Sequence, residues 1–244
     1  MRRIFFIILF AGLFNISNYA QTCGFGCLGL SGAYAGYTYE QYSAKGVNGI
    51  VKSFKERNGL TGNIEFKEAR GYRFGANIFR AQFNHFFLSA KAFYQFLKEE
   101  KSKFSSPANI ATEEKYTLTL NHWGVGLDLG IPVFNFLDLK LVEGGVTFFN
   151  SGFKAQVKQD GREISTSEYE NSKTDIGYYL GSGIIIHIIK DYISLEGTAF
   201  YHKLNITKMN PVENSSFQLP RPGMDFIDKG GLGGTIQLNI GFPL

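Results

Sequence analysis

The chain has 244 residues, 44% hydrophobic and 16% aromatic, with 29 Gly, 6 Pro and a net charge of +4 from 25 basic and 21 acidic groups. That is too apolar for a disordered chain and too near neutral for a nucleic-acid coat. Two cysteines are too few for a disulfide scaffold, and the length suits one large all-β domain or two small ones.

In chain order, Arg2 and Arg3 precede an apolar run from Ile4 to Phe14, which is too short to cross a membrane and reads as the core of a signal peptide. Asn18-Tyr19-Ala20 places the expected cleavage between Ala20 and Gln21, without lipidation of Cys23. Cys23 and Cys27 follow the cut, and export permits a bridge between them as readily as two free thiols. Gly24 to Gly29 matches G-x-G-x-x-G, but with no strand before it and no helix after it the match is accidental. The expected organisation is a signal peptide at 1–20, a lead-in at 21–29 and one barrel domain at 30–244.

The remainder alternates with period two, the mark of strands whose two faces meet different surroundings. Eight such segments are expected, at about 30–40, 69–83, 86–97, 115–129, 137–155, 174–187, 192–204 and 231–242. Two lose phase. Tyr116, Leu118 and Leu120 give way to Trp123, Val125 and Leu127, which predicts a β-bulge near Asn121. A second slip is needed near Gly144-Gly145, because otherwise Leu137, Leu139 and Leu141 would put Glu143 on the apolar face.

The connections alternate in length, long at 41–67, 98–114, 156–173 and 205–229, and short at Asn84-His85, 130–136 and Lys190-Asp191. The long ones carry mixed charge and turn formers, as in Gln159-Asp160-Gly161-Arg162 and Pro220-Arg221-Pro222-Gly223, and read as polar loops. An even number of antiparallel strands with long loops at one end and tight turns at the other is the pattern of an outer-membrane barrel. Within the first long loop Val47, Ile50, Val51 and Phe54 recur at helical spacing beside Lys45, Lys52 and Lys55. This predicts a short amphipathic helix, either capping the barrel rim or lying among lipid headgroups or on a partner.

Alternation alone leaves open which face is inside. The second face is small or neutral-polar (Gly177, Gly181, Gly183, Thr235, Asn239), and aromatics recur near strand ends (Tyr37, Tyr39, Tyr72, Phe74, Tyr94, Phe96, Tyr201). Both features favour lipid outside, although a soluble lipocalin-like ligand-binding barrel remains the alternative. With lipid outside, Arg73, Lys91, Asp138, Lys140, Glu196 and His202 point into the lumen. There they form a plug of ion pairs rather than a conducting pore.

The cleavage site, the opening Gly32-Ala33-Tyr34-Ala35-Gly36-Tyr37, Gly130-Ile131-Pro132-Val133 at a periplasmic turn, and the last strand Gly233 to Phe242 carry a resemblance. From about residue 29 onward the chain resembles the small eight-stranded OmpA/OmpX-type barrels of Gram-negative outer membranes, and the generic barrels of Bacteroidetes-like lineages. It departs from them in adding Pro243-Leu244 after Phe242. The resemblance implies an all-β, closed, antiparallel up-and-down transmembrane barrel in the bacterial outer membrane, with a non-catalytic structural or surface-interaction role carried by four long extracellular loops. It implies outer-membrane lipids and lipopolysaccharide as surroundings, the barrel assembly machinery during biogenesis, a surface ligand for the loops, and no nucleic acid.

Small barrels of this class also include enzymes that modify outer-leaflet lipid through His, Ser and a carboxylate, which makes His202, with Ser172 and Asp175, the alternative. The four histidines, His85, His122, His187 and His202, are scattered, and no nucleophile elbow is present. The expectation is no catalytic residue, no cofactor and no metal ligand set.

Overall fold

The computed structural model describes residues 32–57, 60, 62–83, 85–105, 111–171, 173–190, 192–212 and 225–241. The expected signal peptide, both cysteines, Ser172, the segment Pro220–Gly223 and Phe242 to Leu244 lie outside the described residues.

The eight expected strands all form and close into a ring. In chain order they are β1 (Gly32–Ser43), β2 (Glu68–Gln82), β3 (Phe87–Ser105), β4 (Thr112–Phe134), β5 (Leu137–Gln159), β7 (Asp175–Ile189), β8 (Ile193–Lys203) and β10 (Lys229–Gly241). Each pairs antiparallel with its chain neighbour in this set, and β1 closes the ring on β10, from Gly32 opposite Gly241 to Ser43 opposite Lys229. The fold is therefore the up-and-down barrel the alternation implies, and it leaves the ring no free edge. Two further strands stand outside the ring. They are β6 (Arg162–Glu170), which pairs with the far end of β5, and the two-residue β9 (Asn210–Pro211), which pairs with β6.

The ring's outward face is apolar. Between Tyr37, Tyr72, Phe96, Trp123, Phe148, Tyr178 and Tyr201 at one end and Phe134, Phe136 and Tyr192 at the other, the outward positions of all eight strands carry no charged side chain. Leu180 is 64% exposed there, as is Ile236. The aromatics at the rims pack on one another, Tyr37 against Tyr72 at 5.9 Å, Trp123 stacked on Phe148 at 4.1 Å, and Phe134 stacked on Phe136 at 5.6 Å. An apolar band between two aromatic girdles is the surface that a transmembrane barrel shows to lipid.

Inside the ring β4 turns glycines inward where other strands turn rings. A Cβ on Gly124, Gly126 or Gly130 would run into Phe93, Tyr179 or Phe87 respectively. The glycines of the sequence thus make room for aromatics in a narrow lumen.

Above the girdle of Tyr37 and Trp123 the described parts of the long connections are not polar loops. The upper halves of β3, β4 and β5, together with β6, β9, the residues flanking β10 and the helix α1 (Lys45–Arg57), enclose a second core. It includes Val47, Ile50, Val51 and Phe54 of α1, with Phe66, Leu97, Tyr116, Leu118, Phe153, Tyr169, Ile206 and Phe226. The apolar stripe read from the sequence is buried on the rim, which rules in favour of the cap and against the headgroup placement. Phe54 meets Tyr116 edge-on at 5.9 Å.

The helix lacks a capping residue of its own, and the chain at 225–228 supplies one. Gly46 and Val47 donate their N–H groups to the carbonyls of Asp225 and Phe226 at 3.1 and 3.2 Å, and Lys45 N–H donates to Asp228 Oδ1 at 3.3 Å. These are the donors a helix start leaves unmet. Gly46 has no alternative, since a Cβ there would collide with the Asp225 carbonyl.

Two expectations about register need correction, and a third holds with a shift. No bulge occurs near Asn121. β4 alternates without a break from Thr112 to Gly130, with Leu118, Leu120, His122 and Gly124 all facing inward. The apparent slip marks the level at which apolar residues move from the inner face to the outer one. Nor is Gly130–Val133 a turn, since it lies within β4, which runs to Phe134 before turning at Asn135-Phe136. The second slip is real but falls at Leu141-Val142, both exposed, between the inward-facing Lys140 and Glu143.

Candidate functional site

All six residues expected in the lumen are there, each at most 4% exposed. At mid-barrel Lys91 lies 2.7 Å from Asp128, 3.3 Å from Glu196 and 3.5 Å from Glu143, while Lys140 binds both Glu143 and Glu196. Arg73 adds a third cation 4.0 Å from Glu143 and stacks over Phe93 at 4.3 Å. Three cations thus face three carboxylates. Gln237 and Asn239 each donate to Glu196 Oε2 at 3.2 Å, so both oxygens of Glu196 are engaged. Ions buried this deeply persist only when paired and hydrogen-bonded. Towards the short turns Asp138 takes Arg80 at 2.7 Å and His187 at 2.9 Å.

At the other end of the lumen, under the cap, five strands meet around a smaller cluster. His202 on β8 is 3.0 Å through Nδ1 from Glu40 Oε2 on β1, and 2.8 Å through Nε2 from Thr147 Oγ1 on β5. Gln95 on β3 donates to Glu40 Oε1 at 2.6 Å. His122 on β4 has its ring 5.5 Å from that of His202, and its Nδ1 donates to the Leu120 carbonyl at 3.2 Å.

The partner of His202 is therefore Glu40 and not Asp175, which is linked instead to Asn171, and Ser172 lies outside the described residues. Thr147, His202 and Glu40 stand in the order of a nucleophile, a base and an orienting carboxylate. However, Thr147 has no exposed surface and His202 only 2%, so a lipid substrate has no approach to the hydroxyl.

Sequence reasoning found His202 but not its neighbours. The signal was present. His122, Thr147 and His202 are each the chain neighbour of an outward girdle aromatic, namely Trp123, Phe148 and Tyr201, and Glu40 neighbours Tyr39 just above the girdle. A common level for the aromatics puts the neighbours at a common level inside.

No protein-family model and no curated protein sequence matches the chain. Among solved structures it is similar to Ail, the attachment invasion locus protein of Yersinia pestis (13% identity, TM-score 0.38, covering 88% of this chain and 99% of that one). It is also similar to Neisserial surface protein A, NspA (12%, 0.35, 86% and 96%), and to outer membrane protein H, OprH, from P. aeruginosa (18%, 0.34, 87% and 100%). At such distances function is read from the chain's own side chains.

Proposed function

We propose that the chain is an integral outer-membrane barrel, exported with its signal peptide removed near Ala20, whose role is non-catalytic. In this reading the sealed barrel anchors the ordered cap at the cell surface, where the cap meets surface ligands. The outer-membrane lipids and lipopolysaccharide surround the apolar belt, and the barrel assembly machinery inserts it.

The observation that carries this reading is the uncharged outward belt between aromatic girdles around a charged interior. A soluble lipocalin-like barrel has the opposite arrangement, apolar within and polar without. The plug supports a structural role over a conducting one. Lys140 and Gln95 have no exposed surface and Lys91 and Glu143 only 1%, whereas a water-filled channel would wet them.

The test is fractionation followed by gel migration with and without heating. The protein should require detergent for extraction and should migrate differently once boiled, as closed barrels do. Recovery in the aqueous fraction would overturn the reading. Planar-bilayer recordings of the refolded protein should show no steady conductance. Thr147→Ala should leave the host's lipid profile unchanged, and a lost lipid species would restore the enzyme alternative.

A further inference from the structure

The cluster under the cap is the one group of His, Cys, Asp and Glu side chains among the described residues whose donor atoms converge enough for a metal ion. One donor each from Glu40, His122 and His202 lie within 4.8 Å of one another. We propose that these three residues form a binding site for a divalent first-row transition metal, zinc or a close relative, held between the lumen and the cap.

Three features of the geometry point to this. The first is an orphan. His122 is 1% exposed and its Nε2 has no hydrogen-bond partner, although a buried ring nitrogen normally finds one. Its Nδ1–H is committed to the Leu120 carbonyl at 3.2 Å, so the lone pair stays on the unpartnered Nε2.

The second is the outer shell. A ligating histidine almost always donates its other N–H to an oxygen, and a ligating carboxylate is itself hydrogen-bonded. Here His122 has Leu120, His202 has Thr147 Oγ1 at 2.8 Å and Glu40 has Gln95 at 2.6 Å. With an ion on Nδ1, His202 carries its single proton on Nε2 and donates it to Thr147. The ion thereby replaces the proton between His202 and Glu40.

The third is spacing. Glu40 Oε2 and His202 Nδ1 are 3.0 Å apart, close to the separation of two ligands each about 2.0–2.1 Å from one tetrahedral zinc.

Two imidazoles and one carboxylate select zinc, cobalt or nickel over calcium or magnesium, which prefer all-oxygen shells. Three protein ligands leave a fourth position for water. Because the ligands come from β1, β4 and β8, the ion would tie three strands together where the cap meets the barrel, and it would enter as the chain folds.

The test is refolding of the full mature chain in detergent with one equivalent of Co²⁺ or Zn²⁺, compared with addition after refolding. Wild type should retain one ion per barrel after desalting, and the cobalt form should show the intense visible absorption of tetrahedral coordination. His122→Phe keeps the ring packed against Phe149 at 4.4 Å and removes the ligand nitrogen. It should lose affinity at least about 10-fold while keeping heat-modifiable migration. Glu40→Gln, whose oxygen can still accept from Gln95 while its NH2 donates to His202 Nδ1, should lose a similar factor, so the proposal stays testable if the first variant fails to fold. His187→Gln, at the far end of the lumen, should bind as wild type does. Wild type that retains no ion by either route, or His122→Phe and Glu40→Gln barrels that bind as tightly as wild type, would overturn the site.

Discussion

Leu118 and Leu127 lie on the same strand, β4, and have opposite fates. Leu118 points inward and is fully buried among Phe54, Phe153 and their neighbours, whereas Leu127 points outward and is 58% exposed. The strand does not twist out of phase between them. Above the Trp123 girdle the inner face is mostly carbon, with Glu114 buried there against Lys55, and the outer face carries Glu113, Lys115 and Thr117, much as in a protein folded by water. Below it the order reverses, with Asp128 inside and Leu129 outside. One strand obeys two rules because two solvents surround it, and the girdle marks where one gives way to the other.

The strongest way to break this comparison is to strand a charge in the plug. Lys140→Met leaves Glu143 and Glu196 short of a cation and should cost about 3–5 kcal/mol, the usual loss when one partner of a buried pair is removed. Denaturant unfolding of the detergent-refolded barrel measures it, and Lys140→Met/Glu196→Gln should recover most of it.

Phe54→Ala should cost about 3–5 kcal/mol as well, by opening a cavity, but in the cap alone. Proteolysis should then cut the cap while the protected barrel fragment still shifts on heating. Simultaneous loss of both would show that the two regions are one cooperative unit. Leu127→Arg touches no packed neighbour inside and would be harmless on a soluble protein. Against lipid it should cost about 2–4 kcal/mol, read as reduced refolding into vesicles with full solubility retained.

The smallest effect belongs to the helix start. Burial alone would raise the Asp228 carboxyl, but hydrogen bonds from Ser43 and Lys45 outweigh it and hold it below the ordinary aspartate value. A group depressed in the folded state stabilises above its unfolded pKa, and that help is lost as pH falls through the folded one. Asp228→Ala should therefore destabilise the cap by about 1 kcal/mol near neutrality, and the gap to wild type should shrink below about pH 4. A gap independent of pH would assign the effect to lost packing instead.

The barrel was legible from sequence because period-two alternation survives whichever side faces lipid. Arg73, Lys91 and Glu196 could be placed inside for the same reason. The cap was not legible as a core. Phe66, Tyr169, Ile206 and Phe226 sit in segments that read as loop, and they meet Leu97 and Tyr116, read as strand residues, only through tertiary folding. The misplaced bulge at Asn121 has one cause, the assumption that an apolar face stays on one side of a strand. The Glu40–His122–His202 cluster escaped because its members come from three strands, so no local spacing joins them.

The length of β4 has a further consequence. Its 23 residues, at about 3.4 Å each and tilted about 40°, rise roughly 55–60 Å, which is nearly twice a hydrocarbon layer about 30 Å thick. If the foot stands at one boundary of that layer, the tip projects about 25 Å beyond the other. β3 and β5 brace it throughout. The summit is a mast on a continuous spar, not a tethered lid, so whatever docks there meets a surface whose height and orientation above the bilayer are set in advance.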